Sequence, residues 1–205
     1  MLHAAISTLL IIFAVPVMGL IVKAFNKALW NILARRIGSA ATYVVMNYLT
    51  FVGVVHHEIA HGVYALLTGA KVTEFAPFKP QKSEDGGMSL GHVNFIPRGP
   101  WFLRSIQNYL SSMAPTIQGV VSLYLMRFLW ALEMPFILRA VLAYFGISIL
   151  VHMDMSPADV KIMAKGLPVC MCLIFVVCWI FKVDLLGLMG GGTGAEIPSV
   201  LVPAS

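Results

Sequence analysis

The chain has 205 residues, 59% of them hydrophobic and only 11% charged, with a mean hydropathy of +0.86. A soluble domain carries about 25% charged residues, so the composition excludes an ordinary soluble fold and marks an integral membrane protein. The formal net charge of +5 comes from Lys and Arg that mostly flank apolar runs, as membrane anchors do, so it is no sign of a nucleic-acid partner.

At about 20 residues per span, the length suits an all-α polytopic membrane protein of about five transmembrane helices. Residues 4–22 predict the first, a retained helix rather than a removed signal peptide, since no basic segment precedes it. A kink is expected at Pro16. From Lys23 to Ile37, apolar and basic residues alternate at helical spacing, which predicts a short interfacial helix with Trp30 at headgroup level. The second span is predicted over 40–67, with Gly69 as its stop.

Residues 71–100 are the one long polar stretch. Two β-prone pieces, Lys71-Val-Thr-Glu-Phe-Ala and Gly91-His-Val-Asn-Phe-Ile, flank a Ser83-Glu-Asp-Gly-Gly turn. They predict a hairpin packed over the membrane face, with a plain solvated loop as the competing reading. Such a hairpin has an edge able to pair with an extended substrate segment.

The third span is predicted over 101–130, loosened at Pro115 and carrying Gln118 at membrane depth. The fourth covers 135–153 and runs into His152-Met-Asp-Met-Ser-Pro-Ala-Asp159; the fifth covers 160–183. Cys170, Cys172 and Cys178 share that last run and read as buried thiols. One membrane domain, 1–186, is expected, followed by a flexible Gly-rich tail, 187–205.

The second span contains His57-Glu58-Ile59-Ala60-His61. On a helix, positions i and i+4 lie one turn apart on one face, so both imidazoles can grip one metal ion. Glu58 lies about 100° round the helix, within reach of a water beside the metal. This is the H-E-x-x-H pattern of zinc hydrolases, in which the carboxylate is the general base. Each ionisable group in a membrane-grade run costs about 2.5–3.5 kcal/mol on insertion scales, so such residues mark function. One zinc ion per chain is expected.

A third protein ligand is needed, and Asp159, Asp154 and His152 are the candidates. Asp159 also fits a structural role, since Ser156-Pro157 reads as a helix start with Ser156 as N-cap. Counted as alternate crossings, spans two and four run the same way, which brings the motif and the aspartates toward one leaflet. His56 reads as a packing or supporting residue, and His92 as a surface loop residue.

The combination of His57, Glu58 and His61 in an early helix, a β-prone loop, a Pro-interrupted third helix and an aspartate two spans later resembles the site-2 protease family of intramembrane zinc metalloproteases. The match covers about residues 40–165. The family's Asn-x-x-Pro-x-x-x-Asp-Gly segment is absent; Ser156-Pro157-Ala158-Asp159 is similar to a divergent version of it. The resemblance implies hydrolysis of peptide bonds in a transmembrane protein substrate within the lipid bilayer, at a site facing the cytosolic leaflet. His152 or Gln118 would then supply a substrate hydrogen bond. The competing reading is a catalytically silent membrane scaffold. Six His in all are too few for a membrane di-iron oxidase, and no repeat halves suggest a transporter.

Overall fold

The computed structural model describes residues 1–82 and 88–189. Helix α1 (Leu2–Ile37) is one unbroken helix of 36 residues. Its inward stripe is Ala4, Ser7, Thr8, Ile12, Pro16, Gly19 and Val22, mostly small residues that let neighbouring helices approach closely. The separate interfacial helix expected from Lys23 is instead the second half of α1. No Gly or Pro lies between Lys23 and Ile37, so the helix propagates to Gly38, where φ is 81°.

The predicted second span is built in pieces: α2 (Ser39–Tyr43), a single π-helical turn (Val44–Tyr48) and α3 (Phe51–Leu67). Helix α3 ends as expected at Gly69, φ 85°, where the Ala70 N–H donates to the Ala65 carbonyl at 2.8 Å.

The polar stretch folds as β-structure rather than as a plain loop. Strand β1 (Lys71–Ala76) pairs antiparallel with β4 (His92–Ile96), and β2 (Gln81–Lys82) with β3 (Met88–Ser89). The register slips between Val72 and Glu74, a bulge that re-aims the following side chains. The expected Ser83 turn and the tail beyond Met189 lie outside the described residues.

Helix α4 (Trp101–Trp130) runs through Pro115 and is the spine of the molecule; α5 (Phe136–His152), α6 (Pro157–Ile180) and α7 (Leu185–Met189) follow. Contacts along α4 give each neighbour a direction. Helix α1 runs parallel to it: Tyr109 Oη donates to the Ile12 carbonyl at 2.6 Å, and Gly19 abuts Thr116 seven residues on. Helix α3 runs antiparallel, with Thr68 bonded to Gln107, His61 to Ser111 and His56 to Ser122.

Helices α5 and α6 are also antiparallel to α4, one after the other. Gly146 lies against Met126, Met153 against Thr116 and Gly119, and Gly166 against Ser105 and Tyr109. Predicted spans four and five are therefore not two crossings of opposite sense. They form one run, broken at residues 153–156, because α6 takes up contacts with α4 where those of α5 stop and continues along it in the same sense. Four lengthwise runs result: α1, residues 39–67, α4, and α5 with α6.

The core joins Ile12, Tyr109, Met113, Met155, Met163 and Cys170. Cys178 is buried too, whereas Cys172 is exposed, against expectation. Among the described residues, only α1 and α6 are both long and apolar enough to cross a membrane; α5 is apolar but has 17 residues. Just 33% and 22% of their most apolar windows is buried. Their apolar side chains thus face outward, unlike those of a core helix in a soluble protein.

Candidate metal centre

His57 and His61 project from successive turns of α3 toward the break between α5 and α6. Their ring nitrogens and a carboxylate oxygen of Asp159 all lie within 4.8 Å of one another. His61 Nε2 is 3.1 Å from His57 Nε2 and 3.3 Å from Asp159 Oδ1. These three side chains form a group able to hold a metal ion.

Backbone carbonyls aim the two rings. His57 Nδ1 donates to the His152 carbonyl at 2.6 Å, and His61 Nδ1 to the Ser111 carbonyl at 2.7 Å. With their N–H groups committed outward, both rings turn an Nε2 lone pair inward, the orientation that metal-binding histidines adopt. Asp159 is aimed by the start of α6. Ser156 N and Oγ donate to its Oδ2 at 2.9 and 2.6 Å, a capping box that leaves Oδ1 facing His61. The structural and ligand roles weighed for Asp159 are thus compatible, one oxygen for each.

The break supplies these supports. At the C-terminal end of a helix the last carbonyls have no helical partner. Here the Val151 carbonyl accepts from Asn26 at 2.6 Å, that of His152 from His57, that of Met153 from Thr116 at 2.7 Å, and that of Met155 from Lys23 at 3.5 Å. Side chains from α1, α3 and α4 collect them, so the chain leading to Asp159 is fixed from three sides.

Glu58 is buried and lines two cavities. The smaller, about 140 Å³, also has Asn47, His152 and Asp154 in its wall. The larger, about 260 Å³, contains His57, His61, Asp159 and residues 92–95 of β4. Side chains alternate along a strand, so four successive lining residues mean that β4 presents an edge. Its other edge pairs with β1.

Asp154 stands in the smaller cavity, outside the ligand group. His152 contributes its carbonyl, while its Nε2 contacts Thr50 Oγ1 at 2.8 Å. Gln118 lines neither cavity. His56 bonds Ser122 Oγ at 2.9 Å, a packing role. His92 is not a loop residue: it belongs to β4, lines the larger cavity and contacts Glu74 at 2.9 Å. Sequence reading missed Asn47, Asn26 and Thr116. Asn26 and Asn47 are amides in apolar surroundings, a visible signal; the Thr116 hydroxyl gives none. Comparison with protein-family models, with curated proteins and with solved structures returns no match.

Proposed function

We propose that this chain is an intramembrane zinc metalloprotease that cleaves peptide bonds in membrane-embedded segments of other proteins. The observation that carries the reading is the convergence of His57 Nε2, His61 Nε2 and Asp159 Oδ1, oriented by their outward hydrogen bonds, beside the buried Glu58. Donors about 2.05 Å from a tetrahedral zinc ion stand about 3.4 Å apart. The 3.1 and 3.3 Å separations suit that ion, the third pair, within 4.8 Å, would have to draw in on binding, and two imidazoles with one carboxylate suit its chemistry.

A bound zinc ion would polarise the scissile carbonyl and acidify the attacking water. Glu58 takes that water's proton and passes it to the leaving amine. His57 and His61 each commit Nδ1 to a carbonyl, which leaves Nε2 as the atom that would meet the metal. A lipid-facing helix hides its peptide groups in its own hydrogen bonds, so the substrate must unwind before cleavage. The edge of β4 can accept the unwound segment as an added strand across the larger cavity. The four lengthwise runs are read as four membrane crossings, with the site near mid-length.

The test compares wild type with Glu58→Gln in proteoliposomes that contain a transmembrane reporter, alongside elemental analysis for zinc. Both proteins should carry about one zinc per chain, and the variant should cleave about 10²–10⁴-fold more slowly. Undiminished cleavage by the variant would remove Glu58 from the mechanism. Folded wild type without metal would leave the silent scaffold as the reading.

A further inference from the structure

At the end of the bundle where α1 begins and α6 finishes, far from the metal centre, two cavities lie in line. We propose that they hold one zwitterionic, amine-bearing phospholipid, its acyl chain between α1 and α6 and its headgroup between Lys182 and Asp184. The upper cavity, about 270 Å³, is an apolar groove walled by Ala5, Thr8 and Leu9 of α1 and by Met171, Cys172 and Phe175 of α6. The lower, about 400 Å³, is polar, with His3, Trp179, Lys182 and Asp184 in its wall.

Helical spacing joins the two. Residues 172, 175, 179 and 182 follow one another at intervals of three or four, and so share one face of α6 and the turn after it. On α1, Ala4 of the pocket and Thr8 of the groove are likewise one turn apart. The groove and the pocket are therefore aligned end to end over about 16 Å from residue 171 to 182, the scale of an acyl chain.

The level is right for a lipid. Residues 166–181 carry no charge, and Lys182 is the first cation after them. It marks the edge of the apolar layer, with Trp179 in the position of an interfacial anchor.

The charges choose the headgroup. Among the described residues the Lys182 ammonium has no ion-pair or hydrogen-bond partner. Asp184 is held in place by the Gly187 N–H at 3.0 Å and by His3 at 3.0 Å. The Leu186 backbone is a third contact, and a carboxylate, with about four lone-pair sites, still retains one. A phosphate meets Lys182 and a primary ammonium meets Asp184, whereas a purely anionic headgroup would face the carboxylate's charge.

Native mass spectrometry of the full chain, with phosphatidylethanolamine, phosphatidylcholine or phosphatidylglycerol added separately, tests this. Wild type should retain about one phosphatidylethanolamine per chain. Retention should fall about tenfold for phosphatidylcholine, which has no ammonium hydrogen to donate, and likewise in Asp184→Asn. Lys182→Gly should lose it similarly; φ at Lys182 is 50°, a conformation glycine adopts freely, so the fold is kept. Ala5→Trp should fill the groove and displace the lipid, while Lys27→Gly on the far half of α1 should change nothing. Wild type that retains no lipid, phosphatidylglycerol held as tightly, or unchanged retention in Lys182→Gly overturns the proposal. The experiment involves no metal, so it stands apart from the peptidase reading and rests only on membrane embedding.

Discussion

Gly91 is the point where the hairpin touches Glu58, the proposed general base. A methyl group there would come within 2.7 Å of both Glu58 Cγ and the Pro77 carbonyl. The Glu58 side chain can bend away, but the Pro77 backbone can yield only if the hairpin moves. Gly91→Ala should therefore cut cleavage about a hundredfold through misplacement of Glu58 and β4, with zinc content unchanged because no ligand is touched. Nearby, Glu74 is held below the usual carboxylate range, first by the hydrogen bond from His92 and then by that ring's charge. A depressed folded-state value stabilises the hairpin above the unfolded glutamate value of about 4.3 and is lost as pH falls through the folded value. Amide-exchange protection of β1 and β4 should decline below about pH 4.3, and Glu74→Gln should remove that dependence. The pairing of His57 with His61 was legible because helix geometry alone converts their spacing into a shared face. His92 was not, because its place in the cavity wall depends on a strand register with a bulge at its start.

The helices were legible wherever a local signal ended them. Ser156-Pro157 started α6 as read, Gly69 stopped α3, and the 101–130 run is α4 to the residue. The break between α5 and α6 was visible as polar sequence, but its role was not, since a gap between apolar runs looks the same whether the chain reverses or continues. What makes the break a site is the set of side chains that receive its carbonyls. Thr116 is fully buried and donates to Met153, next to the carbonyl that orients His57. Thr116→Val keeps the shape but leaves the Met153 carbonyl unpaired, a cost of about 1–3 kcal/mol. The strained link should loosen the hold on zinc by about 10–100-fold, read by competition with a chelator. Thr116→Ser, which restores the hydroxyl, should recover affinity; a purely packing role would instead be hurt by the lost methyl.

At the scale of the whole chain, the count of crossings decides which surfaces meet which side of the membrane. Hydropathy registers apolar runs but not their direction, so α5 and α6 read as two spans. Helix α5 has 17 residues and reaches about 25 Å, short of a bilayer core of about 30 Å, whereas α6, with 24 residues, is long enough by itself. Five alternating crossings would put the start of α1 and the end of α6 on opposite sides. The observed directions put them together: Ser7 Oγ bonds the Val183 carbonyl and the Leu185 N–H, and His3 meets Asp184. Since α1 and α4 run parallel with Ile12 beside Tyr109, Arg36 and Glu133 fall at the other end. Single cysteines at positions 2, 186, 36 and 133, in a background with Cys170, Cys172 and Cys178 replaced, can be probed with a membrane-impermeant maleimide in sealed vesicles of known orientation. Positions 2 and 186 should label as one class, and 36 and 133 as the opposite one. Labelling of 2 and 186 from different sides would restore the odd number of crossings and separate α5 from α6. The metal centre would then lie near one leaflet rather than midway along a broken run, and substrates would have to enter from that leaflet alone.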